Sequence, residues 1–103
     1  MKTLEARIDE NNLALRVSAS RLDALTAADF KHDCAELWQP TITAVRVDLA
    51  QVHFIDSSGV GALLSLYKRL PPPNPSVTLC RIQPPVQAVI ELLRLHKVFE
   101  IEA

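Results

Sequence analysis

Asp56-Ser57-Ser58-Gly59 is the segment of this chain whose residue types and spacing suit chemistry. A hydroxyl beside a carboxylate at a helix start has two uses. It can cap the helix, or it can carry a phosphate, whose charge is favoured by the free first-turn N–H groups and the positive end of the helix dipole. Ser57 or Asp56 would accept bonds from those amides, and Gly59 would let the backbone pass close to a neighbour. Nucleophilic catalysis lacks its parts. Ile55 stands where a Gly-x-Ser-x-Gly elbow needs its first glycine, and His53 is an isolated histidine at a strand end. A phosphate-cradling loop is also missing, since Gly59 and Gly61 are the only glycines. His32, His53 and His96 have no metal-ligand spacing to Cys34 or Cys80, so no catalytic residue, metal or cofactor is expected. The expectation is a protein that is not an enzyme.

The flanking elements position the segment. Thr43-Ala44-Val45-Arg46-Val47-Asp48-Leu49 alternates and is rich in β-branched residues, which predicts a strand. Val60, Leu63, Leu64 and Tyr67 recur at helical spacing and predict one buried helix face. The serines therefore fall at the C-terminal end of a central strand, the edge of an α/β sheet where ligands and partners gather.

Upstream, Leu4, Ala6 and Ile8, then Leu13, Leu15, Val17 and Ala19, predict a hairpin turning at Glu10-Asn11-Asn12. Thr26 is expected to cap a first helix with the stripe Ala27, Phe30, Cys34, Leu37 and Trp38, stopped by Pro40. Pro71 to Pro75 reads as a stiff connector into a fourth strand at Val77, Leu79 and Cys80. Pro84-Pro85 opens a third helix whose buried side is expected to hold Val86, Val89, Ile90 and Leu93. Val98 to Ile101 ends the chain as a short strand or an extended tail.

The order β-β-α-β-α-β-α, joined by right-handed crossovers, places every helix on one face. Alternating strands have a single apolar side to cover, which agrees. The fold class expected is α/β in two layers: a mixed four-stranded sheet with helices packed on one face, in a single domain over residues 1–103.

Composition narrows the function. At 49% hydrophobic and 22% charged the chain is ordinarily globular, and its net charge of −1 offers nothing to nucleic acid. No apolar run is long enough to span a bilayer, and Met1-Lys2-Thr3-Leu4-Glu5 lacks the features of a signal peptide. Cytoplasmic localisation without membrane insertion is expected, with the two cysteines as buried thiols and the chain a monomer.

Val47-Asp48-Leu49-Ala50-Gln51-Val52-His53-Phe54-Ile55-Asp56-Ser57-Ser58-Gly59-Val60-Gly61-Ala62-Leu63-Leu64 resembles the central motif of the STAS domains of bacterial anti-sigma factor antagonists. Arg21 to Ala27 is similar to that family's second motif, the loop before the first helix, and Val98 to Ile101 to its usual ending. The resemblance implies a STAS-like fold and partner switching. It makes Ser57 the residue phosphorylated by a GHKL-type serine kinase that is also the anti-sigma factor, with a PP2C-type phosphatase removing the phosphate. The unphosphorylated form would bind the kinase. Asp23, Asp56, Ser57, Ser58 and Gly59 are carried over as the partner-binding set, Asp23 and Asp56 flanking Ser57 on the partner-facing surface. Ser20, the proline run and Arg94 depart from the family pattern, each standing where glycine is usual or in place of a glycine-containing loop. The resemblance leaves a second class open: a soluble STAS subunit of a membrane transporter for lipid or anions.

Overall fold

The computed structural model describes residues 3–102. Met1 and Lys2, the first residues of the segment read above for a signal peptide, lie outside the described residues, as does Ala103. Strands β1 (Leu4–Asp9) and β2 (Asn12–Val17) form the expected hairpin, followed by a two-residue β3 (Arg21–Leu22) and helix α1 (Ala27–Leu37). Strand β4 (Ala44–Asp48), a two-residue β5 (Phe54–Ile55) and helix α2 (Ser57–Arg69) come next. The chain ends with β6 (Ser76–Cys80), α3 (Pro84–Leu92), a 3-10 turn (Leu95–Lys97) and β7 (Glu100–Glu102).

The main sheet has the order β1-β2-β4-β6-β7, with β1 antiparallel to β2 and the other neighbours parallel. The α/β class holds, with five strands in place of four. The fifth is the C-terminal segment, held beside β6 by Phe99 in the core and by side chains along the ladder. The Ser76 and Thr78 hydroxyls donate to Glu100, and Arg46 donates through two nitrogens to Glu102.

Period-two burial explains the layers. Leu13, Leu15, Val17, Val45, Val47, Val77 and Leu79 share a core with Phe30 and Cys34 of α1, Leu63 and Leu66 of α2, and Val86 and Ile90 of α3. The opposite face carries Glu5, Arg7, Arg16 and Arg46, all exposed. Helices therefore cover one face only.

Two local expectations change, at Leu93 and Thr26, and Arg94 shows what its departure from the family pattern entails. Leu93 is 50% exposed, because it lies past the end of α3 where the chain turns into the 3-10 segment. Arg94 adopts φ 57°, the left-handed conformation that glycine enters without strain, at a position where the family pattern has glycine. Thr26 makes no capping bond to α1. Its hydroxyl instead donates to the Arg21 carbonyl at 2.8 Å and accepts from the Asp23 N–H at 3.0 Å, so it closes the loop behind it.

Candidate functional site

The parallel β3–β5 ribbon builds the site. It pairs Arg21 with Phe54 and Leu22 with Ile55, and hydrogen bonds continue the pairing at each end. The His53 N–H donates to the Ser20 carbonyl at 2.8 Å, and the Asp56 N–H to the Leu22 carbonyl at 3.2 Å. The loop before α1 is thereby fixed against the loop before α2, bringing the second motif to the central one. Gly59 completes the junction. A Cβ there would lie 2.0 Å from the Leu22 carbonyl oxygen, so only glycine lets the first turn of α2 approach this closely.

Asp56 is the cap. Its extended backbone precedes α2, and its carboxylate accepts from the Ser58 N–H at 2.9 Å and the Gly59 N–H at 3.1 Å. Ser57 is thus the first helical residue and does not cap. Its side chain is exposed, and among the described residues its hydroxyl has no hydrogen-bond partner. Ser58 is exposed one position further along.

Asp23 follows directly on Leu22 in the loop held against α2. It is only 7% exposed, and its carboxylate is turned into its own loop. It accepts from Arg21 Nε at 2.8 Å, from the Leu25 N–H at 3.0 Å and from the Thr26 N–H at 3.3 Å. The Arg21 bond, reinforced by the two amides against the cost of burial, holds this carboxyl below its ordinary range. Asp23 and the buried Gly59 therefore shape the surface from beneath, while Asp56 is half-buried.

Arg21, Leu25 and Phe54 reach the surface instead. The Arg21 guanidinium lies 4.2 Å from the Phe54 ring centroid while bonding Asp23, a cation–π stack locked by a carboxylate. Leu25 is 86% exposed and Phe54 41%, large apolar groups left in water on the two loops that meet at α2. Sequence reading missed these three, because it supplies no register for two-residue strands. An aromatic residue two positions before the capping Asp56 was the available signal.

Among the described residues no group of three or more His, Cys, Asp or Glu side chains is arranged to hold a metal ion, and no helix is long and apolar enough to cross a membrane. The arrangement offers a hydroxyl that is free among the described residues on a capped helix start, with Arg21, Leu25 and Phe54 exposed on the segments joined to it by the β3–β5 ribbon.

Comparison with known proteins bears on this arrangement. An anti-sigma F factor antagonist of Paenibacillus polymyxa is 31% identical over 55 residues, a stretch covering 53% of this chain and 47% of that protein. An anti-sigma factor antagonist from Mycobacterium paratuberculosis has a similar structure, with a TM-score of 0.81 at 22% identity over 96% of this chain and 83% of that one. The anti-sigma factor antagonist SpoIIAA in its unphosphorylated form superposes with a TM-score of 0.78 at 19% identity, covering 97% of this chain and 88% of that one. SpoIIAA has the same fold in its phosphorylated form, with a TM-score of 0.70 at 18% identity over 97% and 91% of the two chains. The STAS domain profile itself matches residues 3–103, and the chain belongs to the STAS domain family.

Proposed function

We propose that this protein is an anti-sigma factor antagonist that works by partner switching at Ser57. Unphosphorylated, it binds a GHKL-type serine kinase that is also the anti-sigma factor. Phosphorylation of Ser57 by that kinase releases it, and a PP2C-type phosphatase restores the binding form. The observation that carries this reading is the exposed hydroxyl of Ser57, without a partner among the described residues, beside a cap made by a different residue, Asp56. The same fold in both phosphorylation forms of SpoIIAA agrees with a switch that leaves the fold standing.

The energetics favour a switch at the interface. A phosphate brings about −1.5 to −2 charges, which the helix dipole offsets by roughly 0.3–1 kcal/mol. Pressed against an apolar or acidic partner, the same charge costs several kcal/mol, about two to three decades of affinity. Leu25 and Phe54 supply apolar contact, Asp23 holds the loop that presents Leu25 and the Arg21 side chain stacked on Phe54, and Asp56, Ser57 and Ser58 line the helix start. The regulator acts in the cytoplasm, as a monomer toward its kinase, and without enzymatic activity of its own. A transporter-subunit role would leave the free Ser57 hydroxyl without a use.

Incubation with the kinase and ATP, followed by peptide mapping, is expected to place the phosphate on Ser57 and to find none in Ser57→Ala. Equal labelling of Ser57→Ala would sink the assignment. Ser57→Asp is expected to lose kinase affinity with its melting temperature nearly unchanged.

A further inference from the structure

The main sheet has two edges of different character. β7 is three residues long and carries Glu100 and Glu102 on one face, so antiparallel pairing with a copy of itself sets carboxylate against carboxylate. β1 is six residues long, contains no proline, and alternates Glu5, Arg7 and Asp9 in sign along the open face. Its outer edge has no strand partner among the described residues.

We propose that β1 is a self-association edge: two copies of this chain pair antiparallel along β1, centred on Ala6, and continue the sheet across a two-fold axis. This surface is separate from the Ser57 site, and the inference does not depend on the function proposed there.

Backbone parity is the first support. The Ser18 N–H donates to the Thr3 carbonyl at 2.7 Å, one step beyond the Leu4–Val17 pair. Antiparallel alternation then turns the N–H and C=O of Glu5, Arg7 and Asp9 toward β2, and those of Leu4, Ala6 and Ile8 outward. On the far side of β2, the Thr43 N–H donates to the Asn11 carbonyl at 2.8 Å, as the same alternation requires. Outward groups at even positions admit registers in which even positions face even ones.

Charge then selects among those registers. Centred on Ala6, Leu4 faces Ile8, and Glu5 faces Arg7 twice. Centred on Glu5, two glutamates meet. Centred on Arg7, two arginines meet and Glu5 meets Asp9. The Ala6 register therefore joins opposite charges along the strand, where the adjacent registers oppose like ones.

The sheet is also prepared for that pairing. Arg16 already binds Glu5, its Nε and Nη2 both on Oε1 at 3.1 and 2.5 Å, which leaves Oε2 for an incoming cation. Arg7 is exposed and has no side-chain partner among the described residues. Its placement opposite Glu5 of the second copy extends the row Glu5–Arg16–Asp48 with alternating sign. Asp33 of α1 holds the start of the strand, accepting from the Thr3 N–H at 3.0 Å and the Thr3 hydroxyl at 2.7 Å.

One strand pair is a small interface, so the association is weak and concentration-dependent. Sedimentation of the full chain in a series reaching about 1 mM is expected to show a growing dimer fraction. A monomer throughout overturns the proposal. Arg7→Glu sets carboxylate against carboxylate and is expected to weaken the dimer about tenfold, as is Glu5→Arg. Mixing these two variants restores opposite charges and is expected to yield a heterodimer of parental affinity, circular dichroism confirming that both are folded. Parental dimerisation of Arg7→Glu alone, or a mixture that stays monomeric, overturns the register. Ala6→Cys places two thiols on the axis with Cα atoms about 5.5 Å apart, within disulfide reach. A dimer that does not cross-link on oxidation uses another surface.

Discussion

The carbonyl oxygen of Leu22 occupies the space in which a side chain at Gly59 would begin, with an ideal Cβ only 2.0 Å away and the Ile55 Cγ1 at 2.8 Å. Because the obstacle is backbone, it has no rotamer through which to yield. The loop before α1 and the first turn of α2 are consequently one rigid unit, and any change at their contact is felt on both sides.

Gly59→Ala is therefore expected to destabilise the fold by about 1–3 kcal/mol, the range for overpacking a tight site. Gly61 is the internal control. It lies in the same helix with nothing within 4 Å of the place a methyl group would take, so Gly61→Ala is expected to stabilise by roughly 0.5–1 kcal/mol. Urea unfolding of both variants checks the contrast, and equal effects would contradict it.

Asp56→Ala removes the acceptor of two first-turn amides and is expected to cost about 1 kcal/mol. Ser57→Ala removes a hydroxyl that bonds nothing among the described residues, and is expected to change stability by less than about 0.5 kcal/mol. A larger loss at Ser57 than at Asp56 in the same unfolding assay would reverse the roles assigned here.

The Asp23 carboxyl is expected to titrate below its ordinary value of 3.8, because Arg21 and two loop amides favour its charged form. A group depressed in the folded state contributes stability above its unfolded pKa and loses it as pH falls through the folded value. Stability is thus expected to be level above about pH 4 and to decline below it. Carboxyl NMR titration follows Asp23 directly, and Arg21→Ala is expected to move its midpoint upward.

Cys34 lies in the core, where desolvation pushes its thiol up to about 12. Iodoacetamide at pH 8 is expected to leave Cys34 unmodified in the folded protein and to modify it fully in urea. Cys80, also buried and raised by desolvation, is expected to be protected too. Alkylation of folded Cys34 at the rate of a free thiol would contradict the packing of α1.

Much of the architecture was legible because long elements advertise their period. Leu13, Leu15 and Val17 alternate, so β2 was readable residue by residue. In α2 the helical spacing gave the element and placed Val60 and Leu63 correctly, but the buried face also takes in Ala62 and Leu66 and leaves Leu64 and Tyr67 half-buried. β3 and β5 were not, since two residues carry no period. With them went the Arg21–Phe54 stack, which depends on a long-range register that no local pattern encodes. Thr26 misled for a related reason. Threonine before a helix is a cap by local preference, but Asp23 and the Arg21 carbonyl draw its hydroxyl backward. The Asp56-Ser57-Ser58-Gly59 segment was read as the site from local sequence, whereas the choice between Asp56 and Ser57 as cap needed the backbone of both residues.

The division between Asp56 as cap and Ser57 as free hydroxyl has a genetic consequence. Under the proposed switch, an allele that deletes the acceptor yields protein at normal abundance that never lets go of its partner. It would act dominantly over the wild-type copy. An allele that deletes the cap yields less protein and a weakened partner contact, a loss of function that the wild-type copy would mask. Neighbouring codons thus produce opposite inheritance, and the dominance of each lesion reports whether it struck the signal or the scaffold.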